Sequence, residues 1–354
     1  MSEARSADVV VLGLGPAGAS AAAEAARRGC RVIALDRKRE PGVPVQCAEF
    51  VPAMLGTQVK GLGCTVRQPI EAMATFVEDE SPDLKPDFPG HMLDRAAFDA
   101  ALVAEALRAG ADCRFGAVVK RVSRAGEVEL STGEAFRCRV MIGADGPRSL
   151  AGRAIRRVNT QVVETRQVTV PLLAPHAATD IFLSAGIPGG YGWLFPKREV
   201  ANLGAGVIPA EKARLKAIVS RLHARLVDEG RVGPQILSTT GGAIPVGGMV
   251  QPVGRLDETL VLLAGDAAGL ANPVTGAGIA AAVHSGRLAG ESASQAVFHP
   301  EGSSGAALQY QEALEELFKP SLDRAVRRRA ELLQSNPTPL ALRRGWIAYP
   351  EYWT

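Results

Sequence analysis

The 354-residue sequence predicts an α/β protein in two unlike parts, a parallel sheet wound with helices and a separate antiparallel sheet. Three observations carry this expectation. The first thirty-six residues read as strand, glycine turn, helix and strand. Two later apolar runs, 136–142 and 259–264, each end in a glycine-rich turn holding an Asp. Between them, residues 162–208 break strand-like runs with glycine and proline.

The opening unit is read first. Residues 8–12 are a nearly continuous apolar run, as expected of a parallel strand buried on both faces. It feeds Gly13-Leu14-Gly15-Pro16-Ala17-Gly18, and an alanine-rich helix from about 17 to 28 follows, closed by Gly29. A second apolar strand, 31–35, stops at Asp36 and Arg37. Gly13 allows the tight turn, Gly15 clears the approach of a pyrophosphate, and Gly18 allows close helix–strand packing. The helix starts at Pro16 and Ala17; its free first-turn N–H groups face the phosphates, and Asp36 is placed to accept from a ribose. A dinucleotide site is therefore expected, without a choice between NAD and FAD.

The second strand ends in Gly143-Ala144-Asp145-Gly146-Pro147-Arg148-Ser149. The third ends in Gly265-Asp266, then Asn272-Pro273-Val274-Thr275-Gly276-Ala277-Gly278, and a helix starts at Ile279 and runs to about 294. An acid at a strand end suits a ribityl hydroxyl, and glycines let backbone amides approach a flat ring. A helix N-terminus aimed at that ring stabilises negative charge on it.

Together these three segments resemble the glutathione-reductase-like flavoproteins, in order and spacing along the whole chain. The resemblance implies a Rossmann-like FAD-binding domain of the glutathione-reductase-2 type with an antiparallel-sheet substrate domain. It implies that Asp36 and Arg37 lie at the adenosine ribose, and Asp145 and Gly146 near the nucleotide and incoming NAD(P)H. Gly265 and Asp266 then meet the ribityl chain, and Pro273, Gly276, Gly278 and Ile279 the ring. NAD(P)H is expected as a transient reductant, because no second βαβ glycine unit exists.

Residues 94–109 read as a helix whose Arg95, Phe98 and Asp99 resemble the R-x-x-F-D helix bordering FAD; Arg95 serves equally well as a solvent-side ion-pair partner. Residues 117–142 read as a β-meander, and 212–230 as an amphipathic helix with Leu215, Ile218, Val219, Leu222 and Leu226 on one face. The C-terminal segment is expected to be helical, broken at Pro320 and at 337–339, with the basic run 324–329 a solvated face. The cofactor domain is expected over 1–75, 91–155 and 255–300. The substrate or acceptor domain takes 76–90 and 156–254, leaving 301–354 as a helical end.

Three local sequences narrow the resemblance. Val43-Pro44-Val45-Gln46-Cys47-Ala48-Glu49, Gly190-Tyr191-Gly192-Trp193-Leu194-Phe195-Pro196-Lys197 and Gly241-Gly242-Ala243-Ile244-Pro245-Val246-Gly247-Gly248 look like segments of the geranylgeranyl reductase family. That family implies hydride transfer from reduced FAD to a C=C bond. It implies that Tyr191 and Trp193 wall the cavity beside the flavin and that Cys47 and Glu49 sit near the reacting centre, Cys47 also close to the cofactor. Tyr191, Glu49 or Cys47 would supply the balancing proton. Ordinary roles compete: strand aromatics are usually core, and an unpaired Cys is usually a small buried hydrophobe. Beside this family the segment after the last glycine-led helix looks short.

Two other functions compete. An electron relay between NAD(P)H and a redox protein partner, such as an iron–sulfur or lipoate-related enzyme, would suit an open flavin edge. A monooxygenase is compatible with the same fold. Residues 191–196 also align with the W-x-W-x-I-P pattern of flavin halogenases, but with Tyr191 and Phe195 substituted, which argues against halogenation.

Bulk properties exclude other classes. A net charge of +3, with no basic run interleaved with aromatics, does not suit nucleic acid. Five cysteines without ligand spacing give neither a disulfide framework nor a metal site. No apolar run is long enough to span a bilayer, and the opening residues lack a signal-peptide pattern, so a cytoplasmic protein is expected. Residues 340–353, apolar and aromatic beside Arg343 and Arg344, would either touch a membrane or dock on the protein's own surface.

Overall fold

The computed structural model describes residues 4–53, 62–333 and 337–354. Residues 1–3 and 54–61, part of the expected cofactor domain, and 334–336 of the C-terminal segment lie outside the described residues. The helices are α1 (Pro16–Arg27), α2 (Arg95–Arg108), α3 (Leu150–Ala154), α4 (Leu215–Asp228), α5 (Ile279–Phe298), α6 (Ser303–Leu332) and α7 (Pro339–Arg344).

The first sheet places strands Thr259–Leu263, Ala135–Gly143, Arg5–Leu12, Val32–Asp36 and Asp112–Phe115 side by side, all parallel. Strand Val253–Leu256 closes one edge antiparallel, and the meander strands Val119–Val122 and Val128–Leu130 hang from Ala135–Gly143. Val9, Val10, Val11, Ile142, Leu262 and Leu263 are sealed from solvent, as strands covered on both faces require. Helices α1 and α5 lie unusually close because α5 turns Gly286 and Gly290 toward α1. A Cβ on Gly286 would stand 2.1 Å from the Ala17 carbonyl oxygen, and one on Gly290 2.5 Å from that of Ala21. This intimacy brings the N-termini of both helices to the same end of the sheet.

The second sheet runs Ser238–Thr240, Val162–Pro171, Val200–Val207, Gly192–Lys197, Ala178–Leu183, Ala72–Val77 and Asp83–Lys85. It is antiparallel except where Ala178–Leu183 pairs parallel with Ala72–Val77. Between those two strands the chain passes through α2, four strands of the first sheet and α3, so they meet as a long crossover, not as a hairpin. The boundary expected at 75/76 falls inside strand Ala72–Val77, and the one at 254/255 inside strand Val253–Leu256.

Period-two alternation gives this sheet two apolar faces. Phe182, Leu194 and Leu203 face the α4 side, where Leu215, Ile218, Val219 and Leu226 complete a core. Ile181, Leu183, Trp193 and Phe195 face the other way, against Val274, Ala325, Leu342, Trp346 and Tyr352. The α-helix α4 starts at Leu215, after a 3-10 turn at Pro209–Arg214.

Two expectations about the C-terminal segment fail. Pro320 lies inside the continuous α6. It sits on the exposed side with Glu316, whose carbonyl, left without an N–H donor, can turn to water. The basic run is not wholly solvated either, since Arg329 is 5% exposed. Residues 340–353 dock on the protein itself: Leu342, Trp346 and Tyr352 are buried, and Arg343 pairs with Glu80 and Asp83. Leu340 and Trp353 stay exposed. Among the described residues no helix is long and apolar enough to cross a membrane.

Candidate active site

The first glycine turn has the shape that its sequence demands. Gly13 has φ +92°, and a Cβ there would lie 2.3 Å from the Ala144 carbonyl oxygen, which brings the Asp145 turn directly beside it. A Cβ on Gly18 would lie 1.8 Å from the Gly13 carbonyl oxygen. Gly15 differs: a Cβ on it would meet nothing within 4 Å. It is the N-cap of α1 and offers no side-chain cap; Pro16, which has no N–H, is the first helical residue, so the first-turn N–H groups from Ala17 on are open to an anion. Asp36 closes the turn, accepting from the Leu14 N–H at 2.7 Å and the Lys38 N–H at 2.8 Å. Arg37 is exposed beside it.

Asp145 is partly committed elsewhere. Its carboxylate accepts from the Ser149 hydroxyl and from the Leu150 N–H at 2.6 Å, tying down the start of α3. Burial raises its pKa, against the pull of those donors. Gly146 at φ +83° faces open space.

Asp266 stands at the end of strand Thr259–Leu263, in a 3-10 turn. Among the described residues nothing donates a hydrogen bond to its carboxylate. Burial pushes its pKa up to about 6, and the Arg95 charge opposes that rise. A recessed carboxylate without donors fits a polyol. The turn Pro273–Gly278 follows, with Gly276 at φ +70°, and Gly278 is the uncapped N-cap of α5, whose first residue is Ile279. Two uncapped helix starts, an open glycine cradle and an unanswered carboxylate thus converge, and together they fit a flavin dinucleotide.

Arg95 is not at the solvent side. It is half-buried and chelates Asp99 at 3.0–3.1 Å, one turn along α2. Burial pulls its pKa down, but Asp99 and the nearby Cys47 sulfur outweigh this and raise it. Cys47 also influences Tyr191, so Cys47, Arg95, Asp266 and Tyr191 share one site.

Residues 45–49 are fastened to the second sheet one by one. Thr240 Oγ1 donates to the Val45 carbonyl at 2.8 Å, and Gln46 Nε2 to that of Gly241 at 2.9 Å. Gln167 Nε2 donates to the Cys47 carbonyl at 3.1 Å, and Asn202 Nδ2 to that of Ala48 at 3.3 Å. Glu49, with φ +71°, accepts from Lys197 Nζ at 2.7 Å, Asn202 Nδ2 at 2.8 Å and the Arg95 N–H at 3.0 Å. Its carboxylate therefore joins the sheet to the start of α2 and is fully engaged as an acceptor. Glu49→Ala leaves Lys197 and Asn202 without their acceptor and should cost about 2–3 kcal/mol, read by urea denaturation. A loss below about 0.5 kcal/mol would contradict this role.

The aromatics form a wall. Tyr191 donates its hydroxyl to the Thr275 carbonyl at 2.6 Å, inside the Pro273–Gly278 turn. Its ring lies 5.7 Å from Trp193 and 4.8 Å from Trp346, and burial raises its pKa. Trp193 donates Nε1 to Gln167 Oε1 at 3.0 Å, so one glutamine links the wall to the Cys47 loop. Gln167, Asn202 and Trp346 carry no motif signature beyond polar or aromatic character; Lys197 ends the 190–197 segment but is not read there as a site residue. Nothing in one sequence singled them out for the site.

Comparison with known proteins gives the family and the fold. The FAD binding domain family matches residues 6–232. A digeranylgeranylglycerophospholipid reductase of Methanopyrus kandleri is 34% identical over 92% of this chain and 90% of its own length. Another, from Methanothrix thermoacetophila, is 33% identical over 82% of this chain and 78% of its own. A geranylgeranyl bacteriochlorophyll reductase-like structure from Thermoplasma acidophilum superposes with TM-score 0.84, at 24% identity, over 96% of this chain and 90% of that one. A probable FAD-dependent monooxygenase from Pseudomonas aeruginosa shares the fold alone, with TM-score 0.69 at 18% identity over 94% and 98% of the two chains.

Fold, site and family match define an FAD-dependent oxidoreductase. Within that class, the chain belongs to the geranylgeranyl reductase family.

Proposed function

We propose that this enzyme reduces C=C bonds in the prenyl chain of a lipid, using FAD that NAD(P)H has reduced. The observation that carries the reading is the wall of Tyr191, Trp193 and Trp346, which is apolar and locked by Tyr191 onto the turn that holds the flavin ring. The relatives named for reducing digeranylgeranylglycerophospholipid support the same substrate class.

FAD supplies the hydride chemistry when bound. The residues of the chain do the rest. Gly15 and the start of α1 receive the pyrophosphate, Asp36 the ribose and Asp266 the ribityl hydroxyls, while Arg37 and Gly146 border the nucleotide. Tyr191 and Trp193 exclude water and orient an apolar chain. Of the three candidate proton donors, Glu49 is engaged as an acceptor and Tyr191 already directs its proton to Thr275. Cys47 is left, with its sulfur accepting from the Glu49 N–H at 3.2 Å and Arg95 at hand to balance the charge left behind. The packing of Trp346 from the C-terminal segment against Tyr191 supports a small molecule over a protein partner as the acceptor, because a relay needs an accessible ring edge.

The test is anaerobic reduction of the yellow protein by NADH and NADPH, then mixing with a digeranylgeranyl glycerophospholipid. Reoxidation of the flavin with a gain of two hydrogens per double bond is expected. Cys47→Ala should slow that half-reaction by about 100-fold and leave reduction by the nucleotide intact. No lipid reduction, with fast reoxidation in air through a flavin–oxygen species, would establish a monooxygenase instead.

A further inference from the structure

Arg329 is a buried cation beside the flavin turn, and among the described residues no carboxylate answers it. It lies on α6 and is 5% exposed. Its Nη1 donates to the Pro273 carbonyl at 3.3 Å, and its Nε has no partner among the described residues. Burial alone pulls its pKa down to about 10, so the group is still charged at neutral pH. An ion held in this way destabilises the fold unless a bound anion compensates.

The compensating anion must act from nearby and not by direct insertion. The Pro273 carbonyl occupies one side of the guanidinium. On another, a Cβ at Gly189 would stand 3.4 Å from Nη2 and still closer to Ile208 and Leu333. A phosphate has no room to enter there. Pro273, however, begins the turn that Tyr191 braces and that ends at Gly278, the start of α5. In a dry interior a unit charge is felt across such a turn.

We propose that Arg329 is a positioning residue whose charge, acting across the Pro273–Gly278 turn, favours the reduced, anionic form of the bound flavin. The balance is simple. A reduced nicotinamide gives up a hydride, two electrons and one proton, and leaves as its oxidised cation; the neutral flavin ring gains one negative charge. Arg329 lies outside all three cofactor motifs, and it adds to the α5 N-terminus a full charge from a different element.

The experiment measures the flavin midpoint potential of the full-length holoenzyme and of R329K, R329Q and R329M, with the thermal midpoint of each apoprotein alongside. R329M and R329Q should weaken the preference for reduced over oxidised flavin about tenfold, which lowers a two-electron potential by about 30 mV. R329K should stay near the parent. The R329M apoprotein should be at least as stable as the parent, because an uncompensated charge is gone; a purely structural arginine would give a less stable apoprotein and an unchanged potential. If R329M fails to fold, R329Q, which keeps a donor for Pro273, carries the comparison. An unchanged potential in the folded neutral variants overturns the proposal. So does an unchanged potential accompanied by lost affinity for inorganic phosphate or for phospholipid vesicles, which would assign the cation to a free phosphate or a headgroup. No lipid acceptor is needed, so this measurement stands apart from the proposed C=C reduction.

Discussion

Gly18→Ala should fail to fold normally, whereas Gly15→Ala should fold and come off the column colourless. The two residues belong to one motif, three positions apart, but their surroundings differ. A methyl at Gly18 would stand 1.8 Å from the Gly13 carbonyl oxygen, and backbone cannot yield there without opening the first turn. A loss of about 3 kcal/mol or more is expected. At Gly15 the backbone is extended, with φ −72° and ψ −170°, a conformation open to alanine, and the methyl meets nothing within 4 Å. Apoprotein stability should therefore stay within about 1 kcal/mol of the parent. The methyl instead projects into the space kept for the pyrophosphate, and FAD affinity should fall about 100-fold, close to 3 kcal/mol. Urea denaturation of the apoproteins and FAD titration by fluorescence quenching check both. A yellow Gly15→Ala protein with parental affinity would show that the phosphates lie elsewhere.

Asp266→Asn should make the apoprotein more stable at neutral pH and much poorer at holding FAD. Burial raises the Asp266 pKa to about 6, above its ordinary 3.8. The fold therefore favours the protonated acid. That contribution is fully present below about pH 4 and is lost as pH rises through 6, leaving an ionised, donorless carboxylate. The cost at pH 8 is about 3 kcal/mol, at about 1.4 kcal/mol for each tenfold in proton affinity. The parent apoprotein should thus lose stability between pH 4 and 7 relative to Asp266→Asn, and the two curves should converge below pH 4. Hydroxyl groups donated by FAD are what the carboxylate lacks, so the same variant should lose about 10- to 100-fold in FAD affinity at pH 8. Parallel stability curves across that range would rule out a strained carboxylate at this position.

The cofactor half of the site was legible because its chemistry is local. A phosphate cradle is made by one strand, one turn and one helix, so Gly13, Gly15, Gly18 and Asp36 announce it within two dozen residues. The turns at Asp145 and Asp266 repeat that logic. The substrate half was legible only as resemblance. Glu49 reads in sequence as a candidate acid near the reacting centre, yet Lys197 and Asn202, about 150 positions away, turn it into a bracket between sheet and helix. Arg329 reads as one more charge in a basic helix, and packing against Pro273 and Gly189 buries it. Pro320 reads as a break, yet it sits on the exposed side of α6, where a carbonyl without its N–H donor can turn to water.

By itself, then, the sequence determined the cofactor class, the parallel sheet and the shape of the glycine turns, since steric limits on glycine and the dipole of a helix start act over a few residues. Only the tertiary structure decided which polar groups remain free. It engaged Glu49 and Tyr191, laid Trp346 against Tyr191, and left the Asp266 carboxylate without a donor and the Arg329 cation without a carboxylate among the described residues. Hydrogen-bond satisfaction and desolvation depend on partners far apart in sequence, such as Glu49 and Asn202, and no local pattern carries that information.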